Sequence, residues 1–194
     1  MNEVLVSQVN EELKETEQEL FELSKKINSM RKFLKIEITR DYQFKDMNGK
    51  TVSLESLFGD KSDLILIHNM GKKCAYCTLW ADGFNGMYKH FESRTGYALV
   101  SPDPVEIARE FSEGRGWKFK VLSNDGGDFT RDMGYEDKKG NPHPGFSTFH
   151  RDEDGKIWRV ATAPFGPGDQ FCAIWPMFEM LHDGVNGWQP KLEY

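Results

Sequence analysis

Residues 63–77, DLILIHNMGKKCAYC, constrain this chain more than any other stretch. Residues 64–67 are four consecutive apolar side chains, the pattern of a strand covered on both faces. Gly71, Lys72 and Lys73 make a turn, and Cys74-Ala75-Tyr76-Cys77 then opens a segment able to form a helix. The order predicts a buried strand that delivers two cysteines to a helix N-terminus. There the backbone N–H groups, the helix dipole and the two lysines all favour a thiolate at Cys74. Cys77, within the first turn, can reach Cys74 and close a disulfide. Two inert buried cysteines have the same spacing. A zinc site is disfavoured, because zinc takes four ligands and no second pair with matching spacing occurs; no cofactor is expected.

The rest of the chain reads as scaffold for that stretch. Residues 42–44 and 51–52 alternate around Asn48-Gly49, a hairpin signal. Ser53 offers a cap for LESLF, which Gly59 ends. Helical character runs from the cysteines to about Phe91, with bends expected at Gly83 and Gly86 because glycine weakens a helix interior. Residues 97–100 and 119–122 suit strands, and 105–111 a helix that starts after Pro104. Residues 128–133 suit a short helix ended by Gly134. Residues 146–150 and 156–160 form a second hairpin about Asp152-Glu153-Asp154-Gly155. A helix over 171–182, kinked at Pro176, is expected before an irregular tail. This alternation predicts an α/β fold, a mixed sheet flanked by helices.

The first 38 residues differ in character and are expected to form a helical extension, with residues 39–194 as the main domain. Val9, Leu13, Thr16, Leu20, Leu23, Ile27, Met30 and Leu34 are spaced alternately by four and three, a heptad seam interrupted by Thr16. Such a helix either packs on its own domain or pairs with a second copy as a homodimer. The chain of 194 residues carries a formal charge of −6 and a pI near 5.4, which argues against nucleic acid. No stretch approaches the roughly 20 apolar residues that span a bilayer. Three cysteines and an acidic start without export character point to a reduced, cytoplasmic protein rather than a disulfide scaffold.

The strand–CxxC opening, with LVSPDPVEIAREF and GWKFKVLSNDGGDF, resembles the thioredoxin and peroxiredoxin superfamily. More narrowly, RDYQFKDMNGKTVSLESLFGDKSDLILIHNM, CAYCTLWADGFNG, IWPMFEM and WQPKLEY resemble a bacterial thioredoxin-like family of unknown function, DUF899, from the N-terminal helix to the last residue. The resemblance implies a thioredoxin-like fold. Thioredoxins carry a buried acid six residues before the first cysteine that exchanges protons with the second. The resemblance therefore implies that His68 is the proton acceptor for Cys77, a role imidazole suits. Thioredoxins also place a cis-proline against the cysteines. Aligning FSTFHRDEDGKI puts Ser147 there, with Pro142 and Pro144 several residues too early, so the Ser147 hydroxyl is expected to contact a ligand.

Tyr76 and Trp80 are further candidates for substrate contact, although anchoring the helix is the favoured reading of Trp80. Cys172 reads as a buried structural residue. Two function classes follow. One is a thiol–disulfide oxidoreductase in which Cys74 attacks and Cys77 resolves, on a small thiol, a peroxide or a protein disulfide. The other is a non-catalytic module that binds through its N-terminal helix.

Overall fold

The computed structural model describes residues 3–194; the first two residues of the expected helical extension lie outside them. In chain order the elements are α1 (Glu3–Lys32), β1 (Ile36–Ile38), β2 (Gln43–Asp46), β3 (Thr51–Ser53), β4 (Asp63–His68), α2 (Ala75–Arg94), β5 (Gly96–Ser101), α3 (Val105–Gly114), β6 (Lys120–Ser123), α4 (Phe129–Asp132), β7 (Gly145–Arg151), β8 (Ile157–Pro164) and α5 (Ile174–Glu179). The strands form one mixed sheet in the order β1-β8-β7-β4-β5-β6-β2-β3. β4, β5 and β6 are parallel and joined through α2 and α3, while β7–β8 and β2–β3 are the two expected hairpins.

β4 separates two cores by simple alternation, since successive side chains point to opposite faces. Leu64 and Leu66 join Tyr42, Phe44, Phe129 and Phe149 on one face. Ile67 joins Trp80, Phe84, Phe119 and Trp175 on the other, beneath α2. The first core sits inside a curl of the sheet. Six strand steps separate β1 from β2, about 29 Å if laid flat. Residues 39–42, which join them, reach at most about 18 Å from the end of β1 to the start of β2. The link therefore crosses the concave side as a chord, where Tyr42 is buried and donates to Asp132 at 3.0 Å.

Two expected details change. α2 runs as one helix through Gly83 and Gly86 to Arg94, held by the apolar row of Trp80, Ala81 and Phe84 that it buries in the second core. The C-terminal helix is confined to Ile174–Glu179. Pro176 falls in its first turn, where an N–H has no intrahelical acceptor to lose, so the proline opens this helix instead of kinking a longer one.

α1 lies largely outside the body. Its contacts come from its last turns: Ser24 Oγ donates to Gln170 at 3.0 Å, and the Arg31 guanidinium lies 5.8 Å from the Phe171 ring. Its apolar residues from Val9 to Met30 remain exposed, and the last member of the expected seam, Leu34, lies beyond the helix end. Among the described residues no helix is long and apolar enough to cross a membrane.

Candidate active site at the Cys74–Cys77 pair

β4 ends at His68, and the chain then makes a tight connection to α2. Asn69 N–H donates to the Val100 carbonyl, and Asn69 Oδ1 accepts from Gly71 N at 2.6 Å. Asp103, at the end of the neighbouring strand, accepts from Lys72 N at 2.6 Å and from the Ser101 hydroxyl at 3.2 Å. Gly71 has φ +93°, and a Cβ there would stand 2.8 Å from the Asp103 carboxylate. Glycine is thus required both by conformation and by the closeness of the clamp.

This clamp sets Cys74 at the N-cap of α2, in extended conformation, with its Sγ accepting from Cys77 N at 3.0 Å. A sulfur has taken the place usually held by a serine or aspartate oxygen, so helix N–H groups point at it. The Cys74 carbonyl accepts from Thr78 N and from the Thr78 hydroxyl, both at 3.0 Å. Cys74 and Cys77 are joined in a disulfide with their Cα atoms 5.3 Å apart. The two sulfurs differ in access. Cys74 is half-buried, while Cys77 is only 3% exposed. Lys72 is half-buried and Lys73 exposed at the same edge.

His68 and Ser147 are brought together, but with each other rather than with the sulfurs. Register pairs His68 with Gly145 and Leu66 with Ser147, and His68 Nε2 meets Ser147 Oγ at 2.9 Å. The imidazole stacks on Tyr135 at 3.8 Å and Phe129 at 5.4 Å, in the core opposite α2. Neither ring nitrogen is hydrogen-bonded to a cysteine. Burial pushes its pKa down to about 3, with Arg159 adding to the effect, so at neutral pH it does not take up a proton. The structure thus sets His68 against Ser147 and Tyr135 and not against Cys77, whose proton acceptor it was expected to be. Ser147 is fully buried in mid-strand, so its hydroxyl is not open to a ligand. The residue at the mouth of β7 is Pro144, beside the strand end from which the cysteine turn departs. Among the described residues every peptide bond is trans.

Trp80 is 2% exposed, stacks on Phe165 at 5.5 Å and donates its indole N–H to Asp169 at 3.1 Å. These contacts are those of a helix anchor, the second of the two readings of Trp80. Tyr76, between the cysteines, is half-buried and borders Trp80 and Trp175, with ring centroids 6.3 and 6.2 Å away. Cys172 is a buried free thiol whose pKa is raised by burial, with Ile174 N–H opposing. Asp82, two residues past Trp80, receives Arg115 and the Trp117 indole, and Arg115 also donates to the Leu192 carbonyl at 2.8 Å. That network ties the chain's end to α2. No local pattern in the sequence announced it, since Asp82 lies more than thirty residues from both Arg115 and Trp117.

Comparison with known proteins places this geometry. The family described as "Bacterial protein of unknown function (DUF899)" matches residues 6–191. No curated protein matches the chain. Among solved structures, peroxidoxin BcpB from Mycobacterium tuberculosis is similar with a TM-score of 0.53 at 24% identity, over 64% of this chain and 81% of that one. Peroxiredoxin Q from Xanthomonas campestris gives 0.55 at 16% identity, over 63% and 79%. A hypothetical protein from Sinorhizobium meliloti 1021 gives 0.50 at 14% identity, over 79% and 85%. These likenesses establish a thioredoxin-like fold.

Proposed function

Since the chain belongs to the bacterial family DUF899, whose name leaves the activity open, we propose from the site itself that it is a thiol–disulfide oxidoreductase working through Cys74 and Cys77. The asymmetry of the pair carries this reading: one sulfur is half-open at a helix N-cap, and the other is buried one turn later. In the reduced state negative charge on Cys74 Sγ is met by the Cys77 N–H and the helix dipole. The thiolate attacks one sulfur of a substrate disulfide, forming a mixed disulfide and releasing the other sulfur as a thiolate. Cys77, as its thiolate, then attacks Cys74 Sγ, releases the second substrate sulfur and leaves the Cys74–Cys77 disulfide. Two electrons pass to the substrate, and an external dithiol, itself oxidised to a disulfide, returns the pair to its reduced form. The buried second sulfur is shielded from outside disulfides and directed to its neighbour. Tyr76 is the side chain placed to touch the substrate. The cytoplasm, where thiols are kept reduced, is the compartment that suits such a reductant.

The likeness to peroxidoxin and peroxiredoxin structures supports a second reading on the same sulfurs. The Cys74 thiolate attacks a peroxide oxygen, the O–O bond breaks, and an alcohol or water leaves with Cys74 as sulfenic acid. Cys77 then condenses with it and expels water, giving the same disulfide. α1 is the surface at which two copies of the chain meet.

The Cys77→Ser variant tests both readings, because a captured substrate can no longer be released by the resolving sulfur. Challenged with oxidised glutathione or a model protein disulfide, it is expected to accumulate a mixed disulfide on Cys74, visible by intact mass. A peroxide challenge that gives sulfenic acid faster than any disulfide challenge gives an adduct selects the peroxidase reading. If Cys74 stays unmodified under all three, both readings fail and the non-catalytic binding module is left.

A further inference from the structure

α1 is an α-helix of 30 residues, about 45 Å long, joined to the body through Ser24 and Arg31 in its C-terminal third. Its seam is apolar yet open: Val9 is 54% exposed, Leu13 53%, Leu20 67% and Met30 59%. Thr16, the break in the seam, turns its hydroxyl back to the Glu12 carbonyl at 2.8 Å, which leaves its methyl group for packing. An isolated helix in water owes most of its stability to burial of such a face against a partner.

Charge selects the partner. Glu12 and Glu19 flank the seam in the N-terminal half, and Lys26 holds the equivalent flank in the C-terminal half. None of the three has an ion-pair partner among the described residues. Two parallel copies set Glu12 beside Glu17 of the second copy and Lys26 beside its Arg31, like against like. Two antiparallel copies centred on Gln18 set Val9 against Ile27, Leu13 against Leu23 and Thr16 against Leu20, each pair formed twice. Glu12 then flanks Lys26 of the second copy on both sides of the axis, and the like-charged contacts fall to two on the axis, Glu19 with Glu19 and Glu17 with Glu17 of the second copy, against four in the parallel pair.

We propose that α1 pairs with α1 of a second copy in an antiparallel two-fold coiled coil; this rests on the reading of α1 as the meeting surface and specifies its geometry. The pairing carries the first turns of the second copy, Leu5 and Val6, alongside Met30 and the segment that holds Phe171. Phe171 walls an apolar groove of about 210 Å³ with Ile65, Met87 and Phe146, so the apolar N-terminal turns arrive next to apolar surface. The two cysteine pairs stand on separate bodies at opposite ends of the helix pair, each open to its own substrate.

Sedimentation velocity on the full chain tests this. The wild type is expected as a dimer, and Leu20→Lys as a folded monomer with unchanged thiol exchange, since Leu20 is exposed within one copy. Glu12→Lys and Lys26→Glu are each expected to raise the dissociation constant about fivefold, as exposed ion pairs become repulsive. The double variant restores it. A monomeric wild type at submillimolar concentration overturns the meeting surface itself. A dimer that Glu12→Lys tightens overturns the antiparallel geometry alone, because only parallel copies gain from that change. Neither result bears on adduct formation at Cys74.

Discussion

His68 shares one nitrogen with Ser147 and stacks between aromatic rings, and its Nδ1 has no hydrogen-bond partner among the described residues. A proton gained there would bring an uncompensated charge into the first core. In the unfolded chain the ring titrates near its ordinary value of 6.5, whereas in the fold it is pushed to about 3. Between those values the unfolded state binds more protons, so stability falls as pH drops below 6.5 and levels off below about 3. Urea unfolding at pH 7 and pH 5 is expected to show a loss of about 2 kcal/mol. His68→Gln removes that difference; an equal loss in the variant would place the acid sensitivity elsewhere. Gly71 acts at the same scale. Gly71→Ala forces a Cβ onto Asp103 in a left-handed conformation and is expected to cost about 1–3 kcal/mol. It should also slow alkylation of reduced Cys74 by loosening the turn, and an unchanged alkylation rate would show that the clamp does not position the sulfur. The cysteines, their turn and the helix start were legible because four adjacent residues carry that signal. The His68–Ser147 contact was not, because residues 79 apart meet only through strand pairing.

α2 is held at both ends by groups that are distant in sequence. Asp169 accepts from the Trp80 indole and from Gly166 and Phe171 N–H, at 3.1, 2.9 and 2.8 Å, and so joins the helix to the loop after β8. Asp169→Ala leaves a buried indole N–H unpaired and is expected to lower stability by about 1–3 kcal/mol in urea unfolding. Trp80→Phe in that background should recover part of the loss by removing the orphaned donor. A fully additive double mutant would deny the coupling. Element types followed from period and turn chemistry, so β2 to β8 fall where alternation or an apolar run placed them, whereas β1 lies at the end of the stretch expected to be a helical extension. Helix lengths were less legible. Glycine at 83 and 86 and proline at 176 were read by intrinsic propensity, but burial of one face sustains α2 and position within the first turn accommodates Pro176.

For the whole molecule, the order of strands could not be read from the chain, because it depends on which edges meet after the sheet curls. β1 pairs with β8 from Ile36 to Ile38, so we place the start of the folding unit at β1, immediately after α1. A fragment beginning at residue 36 is expected to unfold cooperatively near the wild-type midpoint, and one beginning at 39 at lower urea, having lost a strand. Equal midpoints would make β1 an ornament of the sheet. The curl has one more effect. Both outer strands, β1 and β3, are three residues long, and the link of residues 39–42 draws the two borders toward each other. A border so short offers almost no row of free amides on which a foreign strand could template itself. The sheet is thereby closed to growth by accretion, and crowding or partial unfolding should leave it resistant to fibril seeding so long as residues 36–53 stay in place.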